Sequence, residues 1–486
     1  MGNRTETGVI VVGTGFSGLG MAIQLRKDGR EDFVILEKAD DVGGTWRDNS
    51  YPGCACDIPS HMYSFSFEQN PGWSRAYSPQ PEIWSYLRGV TEKYGLRRFL
   101  RFGQEMTGAR WDAEENRWHV TTKSGDEFVA KALVAGVGAL HRPQIPHLPG
   151  IEDFAGPAFH SAQWDHGVDL TGKRVAVIGT GASAVQFVPR IVGQVANLTL
   201  FQRTPPWVMP KADHDMPGWA RGLFKAVPLA QRAYRDVLYW MLEARAIGFN
   251  GQPWVMQLGQ RIAKRNIDQA VADPALRAKL TPDYTMGCKR VLISNDYYPA
   301  LARDNVEVVT DGVAEVREHS VVDAAGVEHE VDVIIYGTGF HVTDAFDTLE
   351  IVGRDGRNLA KEWAAEGMRT HLGITVNGFP NLFFLLGPNT GLGHNSVVFM
   401  IESQISYIAQ ALRLAGDRAI DPRPQAQAAF NADVQRKLKK GIWTQGGCKS
   451  WYLDAKGVNR TIWPGFTWRY WLDTRTVRRE DYELLG

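Results

Sequence analysis

Val9-Ile-Val-Val12 is a short unbroken apolar run, the pattern of a strand buried on both faces. Gly13-Thr-Gly15-Phe-Ser17-Gly18 follows, then helical spacing to about Lys27, then a second apolar run, Phe33-Val-Ile-Leu36. Together these predict a strand, a helix and a second strand. The rhythm returns at Arg174-Val-Ala-Val-Ile178, Gly179-Thr180-Gly181-Ala-Ser183-Ala184 and Leu198-Thr-Leu-Phe201. Apolar segments 132–138 and 331–339 end in small residues and are near copies of one another; each is expected to close one unit. From about 211 to 300 the rhythm breaks. Trp219 to Phe249 reads as helical, with apolar residues spread over a broad face, and suggests an insertion covering the site; membrane contact is the rival reading. Segment 380–389 is another buried strand and turn, followed by a helical pattern from Ser396 to about Leu414.

The glycines of the first turn have separate tasks. Gly13 permits the tight turn, Gly15 lets backbone approach a pyrophosphate, and Gly18 lets helix and strand pack closely, while the helix N-terminus offers bare N–H groups to phosphate. Glu37 stands nineteen residues past Gly18, where a carboxylate can accept both ribose hydroxyls. In the second unit Arg203 stands nineteen residues past Ala184, so the charge at that offset is reversed. A guanidinium binds a 2′-phosphate that a carboxylate would repel. The first site therefore suits an adenosine with free ribose hydroxyls and the second suits NADPH; the natural pair is FAD and NADPH. The predicted fold class is α/β, with two Rossmann-like dinucleotide-binding domains and a helical insertion. Residues 1–142 and 372–486 form a discontinuous FAD-binding domain, 150–210 and 301–345 the NADP-binding domain, and 211–300 the insertion, with the proline-rich stretch 142–150 as the connection.

The 486 residues suffice for two or three domains with cores of their own. Lys and Arg balance Asp and Glu at 54 each, so no overall charge excess points to nucleic acid or an anionic membrane. The polar start and the lack of a long apolar run predict no signal peptide and no integral membrane contact. Four cysteines do not make a disulfide scaffold, and Cys54 and Cys56 lack the second pair that zinc spacing requires, so no metal is expected; a reducing cytoplasm fits.

Between the two units stands Phe154-Ala-Gly156-Pro-Ala-Phe-His160-Ser-Ala-Gln-Trp164-Asp165, which resembles the fingerprint of Baeyer–Villiger monooxygenases; related flavin-containing monooxygenases usually lack the tryptophan. Gly43-Gly44-Thr45-Trp46 with Tyr51-Pro-Gly53 and Asp57, and Cys288-Lys289-Arg290 followed by Asn295-Asp-Tyr-Tyr298, are similar to other motifs of that family. The resemblance implies that Gly13, Gly15, Ser17, Gly18, Glu37, Lys38, Gly44, Thr45, Trp46, Asp57, Tyr63 and Met106 serve FAD. It implies that Gly179, Thr180, Gly181, Ser183, Gln186, Arg203, Thr204, Lys289 and Trp451 serve NADPH, and that Arg290, positioned by Asp57, is catalytic. The implied reaction takes hydride from NADPH to FAD, adds O2 at the flavin C4a, and lets the peroxyflavin attack a ketone to give an ester or lactone.

Plainer readings stand beside these. Asp57 can cap a helix, Arg290 can be a surface arginine, His394 can edge the flavin or sit in a loop, and His160 is read as structural or a hinge rather than a general base. Alternative activities are oxygenation of nitrogen or sulfur, hydroxylation of alkyl chains, and a flavin reductase or oxidase that never oxygenates.

Overall fold

The computed structural model describes residues 2–344, 346–448 and 450–486. Two sheets organise it. In the first, strand Arg4–Val12 lies between Phe33–Leu36 and Glu127–Ala135, parallel to both. Glu127–Ala135 is long enough to serve two partners on its other edge. Residues 127–130 pair antiparallel with Arg117–Thr122, and 133–135 pair parallel with Leu382–Phe384. The order continues outward through Met106–Asp112 to Glu350–Val352, and on the far side to Leu100–Arg101. Residues from near 350 and 380 thus return to the first sheet.

The second sheet is wholly parallel, in the order Val306–Val309, Asn197–Phe201, Arg174–Ile178, Val333–Tyr336, Ala158–His160. Its central strands are buried on both faces, which is why they read as unbroken apolar runs. One hydrophobic core contains residues of both units, Val11 and Leu19 of the first with Val177 and Phe187 of the second.

The two halves repeat a close contact. At Gly13, φ +97°, an added Cβ would stand 2.7 Å from the Gly136 carbonyl oxygen; at Gly179, φ +104°, it would stand 2.6 Å from that of Gly337. The small residues that end the 132–138 and 331–339 segments therefore sit against the two glycine turns.

The insertion is a chain of short helices, Gly218–Ala226, Pro228–Glu243, Ala246–Phe249, Pro253–Ala270 and Pro274–Leu280. The helix expected from Trp219 to Phe249 is broken after Ala226 because Pro228 cannot continue it and instead opens the next. The helix expected from Ser396 runs Val397–Ala415, with the Ser396 hydroxyl accepting from the Val398 amide. Among the described residues no helix is long and apolar enough to cross a membrane.

Candidate active site

One cavity runs from the first glycine turn to the helix at 397–415. Gly13, Gly15, Ser17, Glu37, Lys38, Gly44, Thr45, Trp46, Tyr63 and Met106 all line it. Gly18 does not; its added Cβ would meet the Gly13 carbonyl oxygen at 1.8 Å, so it acts by letting the helix close on the turn. Nothing lies within 4 Å of a Cβ built on Gly15, which leaves the turn open for a phosphate, and Gly44, φ +51°, faces Gly15. These residues fit FAD. Glu37 is buried, and its oxygens accept from the Thr14 amide and hydroxyl and from the Ala39 amide, with Arg47 paired to it at 3.0 Å. The carboxylate is thus held in one orientation. Arg47 is a residue the sequence reading missed, since no spacing rule places it beside Glu37. Trp46 donates from Nε1 to the Tyr63 hydroxyl at 3.2 Å, which sets both rings on the cavity wall.

Asp57 and Arg290, neither of which lines this cavity, meet near Tyr63. Arg290 Nε and Nη2 stand 2.8 and 2.6 Å from one Asp57 oxygen, Oδ2, and Nη1 donates to the Leu392 carbonyl at 3.4 Å. The Asp57 carboxylate raises the already high pKa of the guanidinium. Burial pushes up the Tyr63 hydroxyl, which also feels both charges of the pair. Tyr452 is fully buried beside Arg290, its hydroxyl pushed up to about 12 by burial. Its neighbour Trp451, expected to touch the nicotinamide nucleotide, is 44% exposed. Leu392 and Tyr452 were not expected: a backbone carbonyl carries no sequence signal, and Tyr452 is one buried tyrosine among many.

In the second unit Gly179, Thr180 and Gly181 form the turn before helix Ala182–Ile191, Ser183 lies in the first turn of that helix, and the Thr180 hydroxyl donates to the Thr204 carbonyl at 3.2 Å. Lys289 is half-buried over the Tyr284 ring, and its pKa is lowered by burial and by the Arg203 charge. Among the described residues neither cation has an ion-pair partner, although the Asp283 carboxylate partly offsets the Arg203 charge at Lys289, so a further anion would relieve the two positive charges. These residues fit a nucleotide phosphate. Gln186 instead spans the units: its Nε2 donates to the Ala55 carbonyl at 2.9 Å and its Oε1 accepts from Tyr51 at 2.9 Å and from the Ala55 amide at 3.2 Å.

His160 is buried, its Nδ1 accepting from the Ala162 amide at 3.1 Å, and burial lowers its pKa to about 4. The ring caps a turn as a neutral group. Trp164 packs on Phe187 of the phosphate-turn helix at 5.3 Å. His394 is buried against Glu243 of the insertion, 3.6 Å away, and Glu243 also accepts from Asn395.

One cysteine pair lay outside the sequence expectations. Cys288 and Cys448, 160 residues apart, form a disulfide with Cα atoms 6.1 Å apart. It ties the loop of Lys289 and Arg290 to the segment before Trp451. Spacing along the chain could not reveal a pair that only the fold brings together. Cys54 and Cys56 are free and buried, and burial pushes the Cys54 thiol up to about 12.

Residues 6–353 match the model of the flavin-binding monooxygenase-like family. A Baeyer–Villiger monooxygenase of Pseudomonas aeruginosa is 52% identical over 98% of this chain and 91% of its own length. One of Streptomyces coelicolor is 51% identical over 98% and 92%. The chain belongs to this family, on its Baeyer–Villiger branch. Among solved structures, cyclohexanone monooxygenase from Rhodococcus sp. Phi1 bound to NADP+ superposes with a TM-score of 0.90 at 28% identity over 100% of both chains. A steroid monooxygenase bound to NADP gives 0.87 at 32% identity over 99% of this chain and 100% of that one. This is a flavin-dependent monooxygenase of Baeyer–Villiger type, and its two nucleotide units serve FAD and NADPH.

Proposed function

We propose that this enzyme inserts one oxygen atom of O2 beside the carbonyl of a ketone, at the expense of NADPH, and releases an ester or lactone. The observation that carries the reading is the Arg290–Asp57 pair near Tyr63, whose ring lines the flavin cavity. Bound FAD supplies the hydride acceptance and oxygen activation that no side chain can. The chain's residues do the rest. Arg290 stays charged throughout and holds negative charge on oxygen as it develops, first on the attacking atom and then on the former carbonyl oxygen. Asp57 and the Leu392 carbonyl fix the guanidinium from two sides, so little reorganisation remains for the reacting state. Buried Tyr452 and the aromatic wall of Trp46 and Tyr63 exclude water from the reaction centre. Glu37 and the glycine turn bind the adenosine diphosphate part of FAD. Arg203, Thr204 and Lys289 take the 2′-phosphate of NADPH, and Trp451 borders its nicotinamide end.

The deciding experiment supplies FAD-loaded protein with NADPH, 18O2 and a panel of linear, cyclic and aryl ketones, with products read by mass spectrometry. Ester or lactone carrying one 18O atom is expected. NADPH consumption yielding only hydrogen peroxide, or sulfoxide from added sulfides with no ester from any ketone, overturns the carbonyl assignment.

A further inference from the structure

Three helices of the insertion each carry two apolar stripes, and only one of them is used for packing. The inner stripes hold Ala220 and Phe224, then Leu238 and Leu242, then Ala263 and Ile267, all buried. The outer stripes are Trp219 and Leu223 on helix Gly218–Ala226; Leu229, Val237, Trp240 and Met241 on Pro228–Glu243; and Trp254, Leu258 and Ile262 on Pro253–Ala270. Trp219 and Leu223, Val237 with Trp240 and Met241, and Trp254, Leu258 and Ile262 recur at three- or four-residue spacing and so share a face of their helix, with Leu229 two turns before Val237. All are exposed, Trp219 by 74%, Trp240 by 60% and Trp254 by 62%. Exposed apolar residues scattered singly are ordinary, but helices Gly218–Ala226 and Pro228–Glu243 pack against each other, so that two tryptophans and four aliphatic side chains gather on this pair, and Pro253–Ala270 adds a stripe of its own. Helix Thr467–Thr474 adjoins it: the Thr467 hydroxyl donates to Glu243 at 2.9 Å, and Trp468 and Trp471 are exposed as well.

The charged residues around these stripes are mostly basic. Between 218 and 270 seven exposed Lys and Arg side chains, Arg261 and Arg265 among them, face only Asp236 and Asp268 as exposed acids, whereas the whole chain has equal numbers of basic and acidic residues. Two copies joined through this face would bring the same positive charge together, since a twofold contact opposes each patch to itself. An anionic, partly apolar partner answers both features.

We propose that this face docks peripherally on an anionic phospholipid bilayer, the helices lying in the interface plane with Trp219, Trp240 and Trp254 at headgroup depth. The cations between the stripes draw it to the surface and the indole and aliphatic side chains hold it there. The face backs onto the reaction centre: Glu243 at the end of the middle helix accepts from Asn395, three residues from the Leu392 carbonyl that receives Arg290. Apolar substrates dissolved in the membrane would reach the site from this side.

The test is flotation of the full-length, FAD-loaded protein with vesicles of phosphatidylcholine alone and of phosphatidylcholine containing about one-third phosphatidylglycerol. The anionic vesicles should carry the protein and the neutral ones little of it. Binding should fall at least about tenfold in the triple variant Trp219→Ser/Trp240→Ser/Trp254→Ser and in Arg261→Glu/Arg265→Glu, with FAD content and turnover in solution unchanged. Failure of the FAD-loaded wild type to float with anionic vesicles overturns the proposal. Equal binding to both compositions overturns the anionic assignment. A wild-type dimer that becomes monomeric in the triple variant, with no vesicle binding by either, makes the face a subunit interface and also overturns it.

Discussion

Arg290 and Asp57 are 233 residues apart in the chain, yet two guanidinium nitrogens converge on a single carboxylate oxygen, Asp57 Oδ2, at 2.8 and 2.6 Å. A bidentate pair would use both oxygens; here, among the described residues, the second accepts no hydrogen bond, and the arginine keeps Nη1 for the Leu392 carbonyl. Asp57 therefore aims Arg290 without enclosing it.

Arg290→Ala should lower ester formation by about a hundred- to thousandfold, the usual cost of removing one preorganised stabiliser of oxygen charge. FAD content and reduction of the flavin by NADPH should be retained. Asp57→Ala leaves the guanidinium in place but unaimed, so kcat should fall with little change in KM for NADPH. Single-turnover absorbance spectroscopy separates reduction from oxygen transfer, and a normal ester yield from Arg290→Ala would remove the residue from the chemistry.

The convergence of Arg203 and Lys289 predicts coenzyme preference. Arg203→Ala should raise KM for NADPH by about ten- to a hundredfold, the worth of a charge-assisted hydrogen bond, and leave KM for NADH nearly unchanged. Because the Arg203 charge helps to depress the Lys289 pKa, the same variant should raise it. Equal losses with both coenzymes would mean that the arginine does not read the 2′-phosphate.

Gly18→Ala would set a Cβ 1.8 Å from the Gly13 carbonyl oxygen, with backbone on both sides of the clash. The turn must open, and FAD should be lost on purification. The ratio of flavin to protein absorbance reports this directly. Gly29→Ala is the matched control away from the cavity: nothing lies within 4 Å there, and its φ of +76° makes only a local strain.

Two buried histidines predict how stability responds to acid. Burial lowers His160 to about 4, and burial together with Arg235 lowers His61 to about 4. The folded state holds both neutral, whereas the unfolded chain protonates them near 6.5. Their contribution is therefore whole above pH 6.5 and is lost as pH falls from there towards 4, by about 3 kcal/mol for each at most. His160→Asn, whose side-chain oxygen can accept the Ala162 amide in place of Nδ1, should flatten part of the decline in a denaturation series between pH 7 and 4.

Local signals made much of the molecule legible in the sequence. The strands at 9–12, 33–36, 174–178 and 198–201 are apolar runs because parallel strands are buried on both faces, and the glycines announce turns that only glycine can make against a neighbouring carbonyl. Glu37 and Arg203, at matching offsets with opposite charge, led to the expectation of FAD in the first unit and NADPH in the second. Trp164 marked the Baeyer–Villiger branch. The helix broken at Pro228 was also written in the chain, although its broad apolar face outweighed the proline in the reading.

Other features depend on residues distant in sequence, and only the tertiary structure decided them. Periodicity reports which face of a helix is apolar but not which face meets the core, so the second apolar stripes of the insertion became visible only once the first were packed. The balanced overall charge hid a positive surface for the same reason, because composition averages over position. Cys288 with Cys448, Arg47 with Glu37, Gln186 with Tyr51, and Arg290 with the Leu392 carbonyl are contacts set by how strands and loops close on one another. Sequence determined the local conformations and the chemistry each nucleotide unit could support. The fold determined which of those groups share a site, because distance in space, not distance along the chain, governs charge, hydrogen bonding and burial.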